Sequence, residues 1–390
     1  MKVSRLTLKH FRNYTDLALD CAPGRNIILG KNGQGKTNLL EALYFLSHTK
    51  SNRSGSDREL IQFTSSQTLI AAEILPTHYD GTLTLQASLS IADGSSEGQG
   101  RLQTKFKING APAKQRSAVL GYIPTVGFFL SDLQLLRGTP EDRRKWLDAA
   151  ATQYDKRHLS YATEYHRIRT QKSRLLKNDP AQISIEHLTV WNQQLAKAGA
   201  QLMASRMQYL SAAEHPAMAT YAELSGAGET LSLAYQSAVE ARDTIEVSQL
   251  EEALNALLLE RQNEELRRGT CLVGPHRDDI AFFLNEKNAA AYGSQGQQRS
   301  IVLALKLTEL QLLKTKLGES PVLLLDDVMA ELDPDRQGYL LDHLSPEGQV
   351  FLSTTHLDAT LNGLLGKDTC VFLVQAGNVT AQSIGKVAHL

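Results

Sequence analysis

The sequence contains little cysteine, and the three cysteines that it has lie far apart. They are Cys21, Cys271 and Cys370, and none of them forms a C-x-x-C pair. Disulfide frameworks and structural zinc sites are built from closely spaced cysteines, so we expect neither. This cysteine usage fits a reducing compartment, and the sequence favours the cytoplasm.

Long apolar runs and a strong net charge are absent as well. No segment approaches the ~20 apolar residues that cross a bilayer, and the first residues alternate apolar and polar side chains instead of forming a signal sequence. We therefore expect no membrane partner. Because 41 Lys and Arg oppose 42 Asp and Glu, the formal charge is −1 and identifies no partner. The 390 residues leave room for two or three domains.

A glycine-rich segment at residues 30–37 is the most informative motif that is present. It fits G-x-x-x-x-G-K-[ST] and lies between a strand-like run at 25–29 and a helix-like run at 37–47. Backbone N–H groups in such a loop converge on phosphate oxygens, while Lys36 reaches the β/γ-phosphates and Thr37 ligates Mg²⁺. A plain glycine-rich turn is the alternative. The predicted nucleotide-binding residues are Gly30, Lys31, Asn32, Gly33, Gln34, Gly35, Lys36 and Thr37.

Two neighbouring acids form the second half of a nucleotide site. The apolar run at 322–325 delivers Asp326 and Asp327 to the carboxyl end of a strand, where ligands bind in open α/β sheets. Asp326 is predicted to hold Mg²⁺. Asp327 is predicted to orient or deprotonate the water that attacks the γ-phosphate. The alternative is that two acids simply end a strand.

Residues 293–300 begin a helix that precedes the acidic strand. Ser294 can cap its backbone donors, and the exposed N–H groups with Gln297 form a second anion-binding end. An ordinary helix cap is the alternative. The order along the chain is phosphate loop, long insertion, this helix, the acidic strand, and then residues 331–333 and 353–356. That order is the layout of an ATP-binding-cassette type ATPase head of the SMC kind.

The apolar pattern gives the expected organisation. Alternating residues near 3–8, 17–19, 69–74, 83–89 and 102–108 predict antiparallel strands, and apolar runs at 349–353 and 370–374 predict buried parallel strands. Residues 139–262 read as helical, with interruptions at 178–180 and 226–228 and a bend at Pro216. We expect an α/β head, a mixed sheet flanked by helices plus an antiparallel β subdomain, with an inserted helical arm. The expected ranges are 1–135 and 266–390 for the head and 136–265 for the arm.

Several motifs together resemble the bacterial RecF family of recombination mediators. They are residues 11–14, the phosphate loop, residues 138–148, residues 274–279 and residues 293–299. The resemblance spans nearly the whole chain. It departs at 128–132, where a proline followed by acids is more usual, so a metal-lining role for that loop stays open. His356 occupies the position of the switch histidine in related heads and is implied to be catalytic together with Asp327.

The resemblance implies a dimeric switch. Ser294, Gly296 and Gln297 would close over the γ-phosphate bound by a partner subunit, so ATP would hold a homodimer on DNA and hydrolysis would release it. It further implies a weak ATPase that uses ATP and Mg²⁺. The implied role is to recognise single-strand/duplex junctions at gaps and, with RecO and RecR, to help load RecA in DNA repair and replication restart.

The inserted region is locally basic. Between Arg137 and Lys177 eleven Lys and Arg oppose five Asp and Glu, which predicts a surface that neutralises DNA phosphates without reading bases. A solvated helix face is the alternative, and Arg144 can instead pair with Asp148 at helical spacing. Residues 274–279 suggest an ion-pair cluster that joins the two lobes of the head. The predicted DNA contacts are Arg143, Arg144, Arg167 and Lys172.

Three other functions are possible for such a chain, and the sequence disfavours each of them. A cytosolic ATPase subunit of a transporter is disfavoured by the basic helical insertion and by the missing membrane segment. A non-hydrolysing scaffold is disfavoured by the intact Lys36, Asp326 and Asp327. A GTPase is disfavoured because no Asn-Lys-x-Asp segment is present to read guanine.

Overall fold

The computed structural model describes residues 1–53, 55–77, 80–92, 100–178, 183–226, 228–239, 246–344, 347–357 and 367–382. Residues 93–99 of the expected hairpin tip, and residues 179–180 and 227 of the expected helix interruptions, lie outside the described residues. The chain divides into two compact units, Met1–Asp132 with Glu309–Leu390, and Leu133–Thr308.

The first unit contains two six-stranded sheets. An antiparallel sheet has the order β2-β1-β4-β5-β6-β7, and a mixed sheet has the order β15-β14-β3-β13-β12-β8. The strands are β1 (Lys2–Phe11), β2 (Tyr14–Asp20), β3 (Arg25–Leu29), β4 (Gln67–Leu75), β5 (Leu83–Ala92), β6 (Arg101–Ile108), β7 (Ala111–Pro112), β8 (Thr125–Phe129), β12 (Val322–Asp326), β13 (Val350–Thr354), β14 (Thr369–Gln375) and β15 (Asn378–Gln382).

Helix α1 (Lys36–His48) supplies the core between these sheets. Its buried leucines and Phe45 share one apolar cluster with inward-facing residues of both sheets. The antiparallel strands alternate buried and more exposed residues, so their opposite face meets solvent, whereas β8, β12 and β13 are buried along their whole length. The unit also contains helix α9 (Pro334–Asp342). The packing places α1 against β12 and β13 of the mixed sheet and against β4 of the antiparallel sheet.

The second unit is mostly helical. A three-stranded sheet of order β11-β10-β9 accompanies the helices. The elements are α2 (Pro140–Tyr154), α3 (Arg157–Leu175), α4 (Ile185–Ser225), β9 (Leu231–Gln236), α5 (Val247–Glu260), α6 (Gln262–Arg268), β10 (Asp279–Leu284), β11 (Lys287–Asn288), α7 (Ala289–Tyr292) and α8 (Gln295–Leu317), whose last residues belong to the first unit.

Two features of the second unit differ from the expectation. Strand β9 lies within the stretch that was expected to be helical, because it pairs along its length with β10, a partner distant in sequence. Residues 266–308, which we expected in the head, cluster with the helices for the same reason. Helix α4 continues through Pro216.

Candidate functional site

The carboxyl ends of three parallel strands bring the predicted site segments together. Strand β13 pairs with β12 and β3, so that Ser353 lies opposite Asp326 and Thr354 lies opposite Leu29. Residues 30–37 continue from the end of β3, and Asp327 continues from the end of β12. Open α/β sheets bind ligands at this edge. The structure therefore places the phosphate loop beside both predicted acids.

The glycines of the loop meet conformational demands that other residues do not meet. Gly33 and Gly35 have φ values of 78° and 117°, in the left-handed region. A Cβ on Gly35 would also lie 2.5 Å from the Asn13 amide and 2.8 Å from the Tyr14 hydroxyl. Tyr14 donates a hydrogen bond to the Gly35 carbonyl (3.0 Å), and Asn13 Nδ2 donates to the Gln34 carbonyl (2.9 Å). Asn13 and Tyr14 thus hold the backbone of the loop in place.

Lys36 lies within the loop. Its side chain is only 3% exposed, and Nζ lies 3.4 Å from both the Lys31 carbonyl and Asn32 Oδ1. Nζ is also 3.5 Å from Asp327 Oδ2. These distances are long for charge-assisted hydrogen bonds. The ammonium is therefore positioned to exchange its present partners for phosphate oxygens.

Thr37 and Asp326 form the predicted metal pair. Thr37 Oγ1 donates to Asp326 Oδ1 at 2.9 Å, across 289 residues of sequence. Burial raises the pKa of the Asp326 carboxyl. A divalent cation bound to this oxygen pair would offset the cost of burying the carboxylate, since opposite charge favours the ionised form. The hydroxyl and the carboxylate therefore fit Mg²⁺, which prefers oxygen ligands.

Ser353 connects the two acids, a role that the sequence analysis did not assign to it. Its hydroxyl donates to Asp326 Oδ1 (2.8 Å) and accepts from the Asp327 backbone N–H (2.9 Å). Asp327 itself has a φ of 52°, an unfavourable conformation for a residue with a side chain. Its carboxylate keeps 22% of its surface exposed. The strain and the serine together turn Asp327 away from the strand while Asp326 stays buried.

A charged network behind α1 was also missed. The Glu41 carboxylate is fully buried and accepts two hydrogen bonds from Arg12 (3.0 and 2.7 Å) and one from Ser51 (2.6 Å). Arg53 lies 3.9 Å from Glu41 and donates to Asn38 Oδ1 (3.1 Å). This network ties the first turns of α1 to the end of β1. Its only signal in the sequence is the polar run at 51–58 after an apolar helix.

His356 follows β13 at the same edge of the sheet and is exposed. Its Nδ1 lies 3.1 Å from Thr355 Oγ1, and its carbonyl accepts from Thr354 Oγ1 (2.8 Å). Strand β8 ends beside β12, where the Phe129 N–H donates to Asp132 Oδ2 (2.8 Å).

The predicted anion-binding helix begins with a reciprocal cap. The Gln297 N–H donates to Ser294 Oγ (3.2 Å), and the Ser294 N–H donates to Gln297 Oε1 (2.7 Å). The next side chain, Gln298, donates to the Gly293 carbonyl (3.0 Å) and accepts from Arg137 (2.7 Å). Gly296 lies in the first turn of α8. The helix start is therefore fixed by side chains within the second unit.

The structure corrects the predicted DNA contacts on α2 and α3. Lys172 and Glu265 are both fully buried and form an ion pair of 2.5 Å. Removing one partner would leave an uncompensated buried charge, so this lysine stabilises the fold. Arg143 donates two hydrogen bonds of 2.7 Å to the Asp279 carboxylate and one of 2.9 Å to the Gly138 carbonyl. The prediction that Lys172 binds phosphate was wrong, because its side chain is buried, and the ion pair of Arg143 with Asp279 disfavours the phosphate contact predicted for Arg143.

The remaining two predicted contacts have different surroundings. Arg144 donates to the Asp278 carbonyl (2.6 Å) and does not pair with Asp148, which binds Arg206 instead (2.8 and 3.0 Å). Arg167 is exposed and pairs with Glu164 one helical turn away (2.7 Å). Of the four, Arg167 stays accessible, with its charge partly offset.

Residues 274–279 form a hydrogen-bonded centre of the second unit. The Pro275 carbonyl accepts from Arg206 (2.6 Å), His276 Nδ1 bonds the Tyr165 hydroxyl (2.6 Å), and Asp278 Oδ2 accepts from Tyr235 (2.6 Å). Burial lowers the pKa of His276 to about 4, so the imidazole is neutral at pH 7. These partners all belong to residues 133–308. The segment joins α3, α4 and β9, and the expectation that it joins the two lobes of the head is replaced by this role.

Known proteins resemble this chain over nearly its whole length. The family described as RecF/RecN/SMC N terminal domain matches residues 2–378. The chain is 36% identical to the DNA replication and repair protein RecF of Geobacillus kaustophilus, over 98% of this chain and 100% of that protein. It is 39% identical to RecF of Streptococcus gordonii, over 97% and 100%. The chain belongs to the RecF family.

Solved structures agree with this family assignment. RecF with ATP, described as the recombination mediator of the RecFOR pathway, matches with a TM-score of 0.87 and 29% identity over 98% of each chain. The SMC head domain of Pyrococcus furiosus matches in fold, with a TM-score of 0.52 and 15% identity. The expected fold class and the resemblance are confirmed. Among the described helices, none has the length and hydropathy needed to cross a bilayer.

Proposed function

We propose that this protein is a recombination mediator of RecF type, a DNA-binding ATPase that uses ATP and Mg²⁺ as a conformational switch. One observation carries the proposal. Thr37, Asp326, Ser353 and Asp327 form a continuous hydrogen-bonded group beside a phosphate loop whose lysine faces the second acid. This arrangement separates a buried carboxylate that can hold a metal ion from a partly exposed carboxylate that can reach water. A scaffold with a purely structural nucleotide has no need for the second group.

Each side chain has a distinct task in this proposal. The N–H groups of residues 30–37 and Lys36 bind the phosphates, and Thr37 and Asp326 hold Mg²⁺, which neutralises phosphate charge when bound. Asp327 orients the attacking water and accepts its proton. His356, exposed at the same edge, is the second candidate for water orientation. Weak turnover suits a switch, since slow hydrolysis lengthens the ATP-bound state.

The switch acts through a homodimer in which Ser294, Gly296 and Gln297 contact the γ-phosphate bound by a partner subunit. The exposed start of α8 offers N–H donors and the positive end of a helix of 23 residues. Hydrolysis removes the γ-phosphate and with it several charge-assisted hydrogen bonds. We expect the dimer to form with ATP and to separate after hydrolysis.

The Ser294→Arg variant tests the composite site. Its own phosphate loop is unchanged, so ATP binding should persist, whereas a bulky cation at the start of α8 should weaken ATP-dependent dimerisation by at least about tenfold and reduce hydrolysis equally. Analytical ultracentrifugation with and without ATP measures the first effect. Ser160→Arg, on the exposed face of α3, is the control. A parent protein that stays monomeric at saturating ATP would overturn the dimer.

We place the DNA surface on the antiparallel sheet of the first unit. On its solvent face β6 presents Arg101, Lys105 and Lys107, and within the described residues no carboxylate pairs with them. The directly opposite residues on β5 are uncharged, with Gln86 facing Lys107 and Ser88 facing Lys105. A row of unneutralised cations on a polar, flat surface attracts the phosphate backbone without reading sequence. Of the four contacts predicted on α2 and α3, Arg143, Arg167 and Lys172 are paired with carboxylates, as described above.

A triple variant tests this surface. Replacing Arg101, Lys105 and Lys107 by glutamine should reduce the slope of log affinity against log salt by about 0.9 for each lost phosphate contact, while ATPase activity without DNA persists. The comparison triple replaces Lys145, Arg157 and Arg167, which are equally exposed but paired with Glu141, Asp155 and Glu164. Fluorescence anisotropy on gapped DNA across a salt series measures both. If only the comparison triple changes the slope, DNA binds the helical unit.

The proposal also includes the partners of the protein and the division of the chain into head and arm. The family resemblance supports recognition of single-strand/duplex junctions at gaps and cooperation with RecO and RecR in loading RecA, and the RecFOR pathway is named for the solved relative. We retain residues 136–265 as the inserted arm, between head segments 1–135 and 266–390. Binding of gapped against fully duplex DNA tests the junction preference.

A further inference from the structure

A chain of side chains connects helix α4 to the start of α8. The Tyr221 hydroxyl donates to Glu229 Oε2 (2.7 Å), and Gln297 Nε2 donates to Glu229 Oε1 (2.5 Å). Gln297 Oε1 then accepts from the Ser294 N–H (2.7 Å). Glu229 therefore holds the glutamine that caps the helix.

The position of Glu229 is fixed from two sides. Tyr221 is fully buried on α4. The next residue along the chain, Thr230, is bonded to Asn285 in both directions: its N–H donates to Asn285 Oδ1 (2.8 Å), and its carbonyl accepts from the Asn285 N–H (3.0 Å). The carboxylate is thus anchored where α4 leads into β9. The contact of Glu229 with Gln297 is therefore held in place by neighbouring hydrogen bonds of the second unit.

This contact opposes the binding of a phosphate at the same helix end. The Ser294 and Gln297 groups satisfy each other, and a carboxylate already supplies the negative charge that the positive helix end favours. A γ-phosphate would have to break the cap and approach a like charge, which is unfavourable at short range. Because α4 carries Tyr221, the strength of the contact also depends on that helix.

We infer that Glu229 is an inhibitory latch, which keeps the start of α8 closed to the partner subunit's γ-phosphate until dimerisation displaces it. The inference rests on the composite site of the proposed function. A residue that only stabilised the cap would act in the opposite direction, because its loss would disorder the helix start and weaken the dimer. The sign of the effect therefore separates the two roles.

Glu229→Gln tests the latch, because the amide keeps the size, can still accept from Gln297 Nε2 and can donate to the Tyr221 hydroxyl, but lacks the charge. We expect ATP-dependent dimerisation to tighten by about tenfold, and hydrolysis at limiting protein concentration to rise in parallel. Glu214→Gln removes one exposed charge from helix α4, which carries Tyr221, and should leave the dimer unchanged. Dimer dissociation constants with ATP come from sedimentation velocity.

Tyr221→Phe is the second variant. It removes one hydrogen bond from Glu229 and keeps the carboxylate, so it should tighten the dimer in the same direction by a smaller factor, even if Glu229→Gln folds poorly. An unchanged or weaker dimer in both variants, while the parent dimerises with ATP, would overturn the latch alone. A parent that fails to dimerise with ATP would instead overturn the composite site of the proposed function.

Discussion

Replacing Lys36 by alanine should abolish tight ATP binding. The ammonium lies within the phosphate loop, 3% exposed, and its present partners are a carbonyl and an amide oxygen at 3.4 Å and a carboxylate at 3.5 Å. None of these spacings is a strong charge-assisted bond, whereas phosphate oxygens would form such bonds. The variant keeps the loop N–H groups but loses the charge that offsets the β/γ-phosphates.

Isothermal titration calorimetry measures this loss directly. We expect ATP affinity to fall by a factor on the order of 10² or more, since charge-assisted hydrogen bonds each contribute about 1.5–3 kcal/mol. Lys50→Ala, an exposed lysine after α1, is the matched control and should bind ATP as the parent does. Affinity within about threefold of the parent would contradict the phosphate-loop assignment.

The Asp327→Asn variant should bind ATP and Mg²⁺ but hydrolyse ATP on the order of 10²-fold more slowly, because the amide cannot accept a proton from water. Asp326, Thr37 and Ser353 keep their mutual hydrogen bonds in this variant, so the metal ligands are preserved. The dimer should accumulate in its ATP-bound form. DNA binding with ATP should then persist for longer than in the parent.

Single-turnover phosphate release, together with sedimentation in ATP, measures both consequences. Asp335→Asn, an exposed acid in the first turn of α9, is the control and should keep parental turnover. If Asp327→Asn retains full turnover, the carboxylate is not the base. His356→Asn would then be the variant that identifies the group that orients water.

The sequence predicted the parts of the site that are local in the chain. The phosphate loop, its flanking strand and helix, and the apolar run before Asp326 depend on spacing within about ten residues, and the structure has all of them. Periodicity likewise located most of the described strands of both sheets in the first unit, although β7, β8 and β15 were not predicted. These signals are strong because backbone conformation and burial there follow directly from nearby residues.

Contacts between distant segments could not be predicted. Ser353 becomes part of the site only because β13 lies beside β12, and Glu41 is neutralised by Arg12 from another strand. Lys172 reads as one more cation on a basic helix until Glu265, 93 residues further on, is placed against it. Strand β9 was not predicted because its alternation of apolar and polar residues is short. Its pairing with β10, which is distant in sequence, makes it a strand.

The strand order of the mixed sheet has a consequence for synthesis. Strand β3 is made early, yet its two neighbours, β13 and β14, begin at Val350 and Thr369. Until those residues leave the ribosome, β3 has an unpaired edge on each side, and such edges favour association with other chains. The second unit, by contrast, is continuous from Leu133 to Thr308. The helices of the second unit can therefore pack before β13 and β14 have been synthesised. The phosphate loop is fixed only later, when these strands pair with β3.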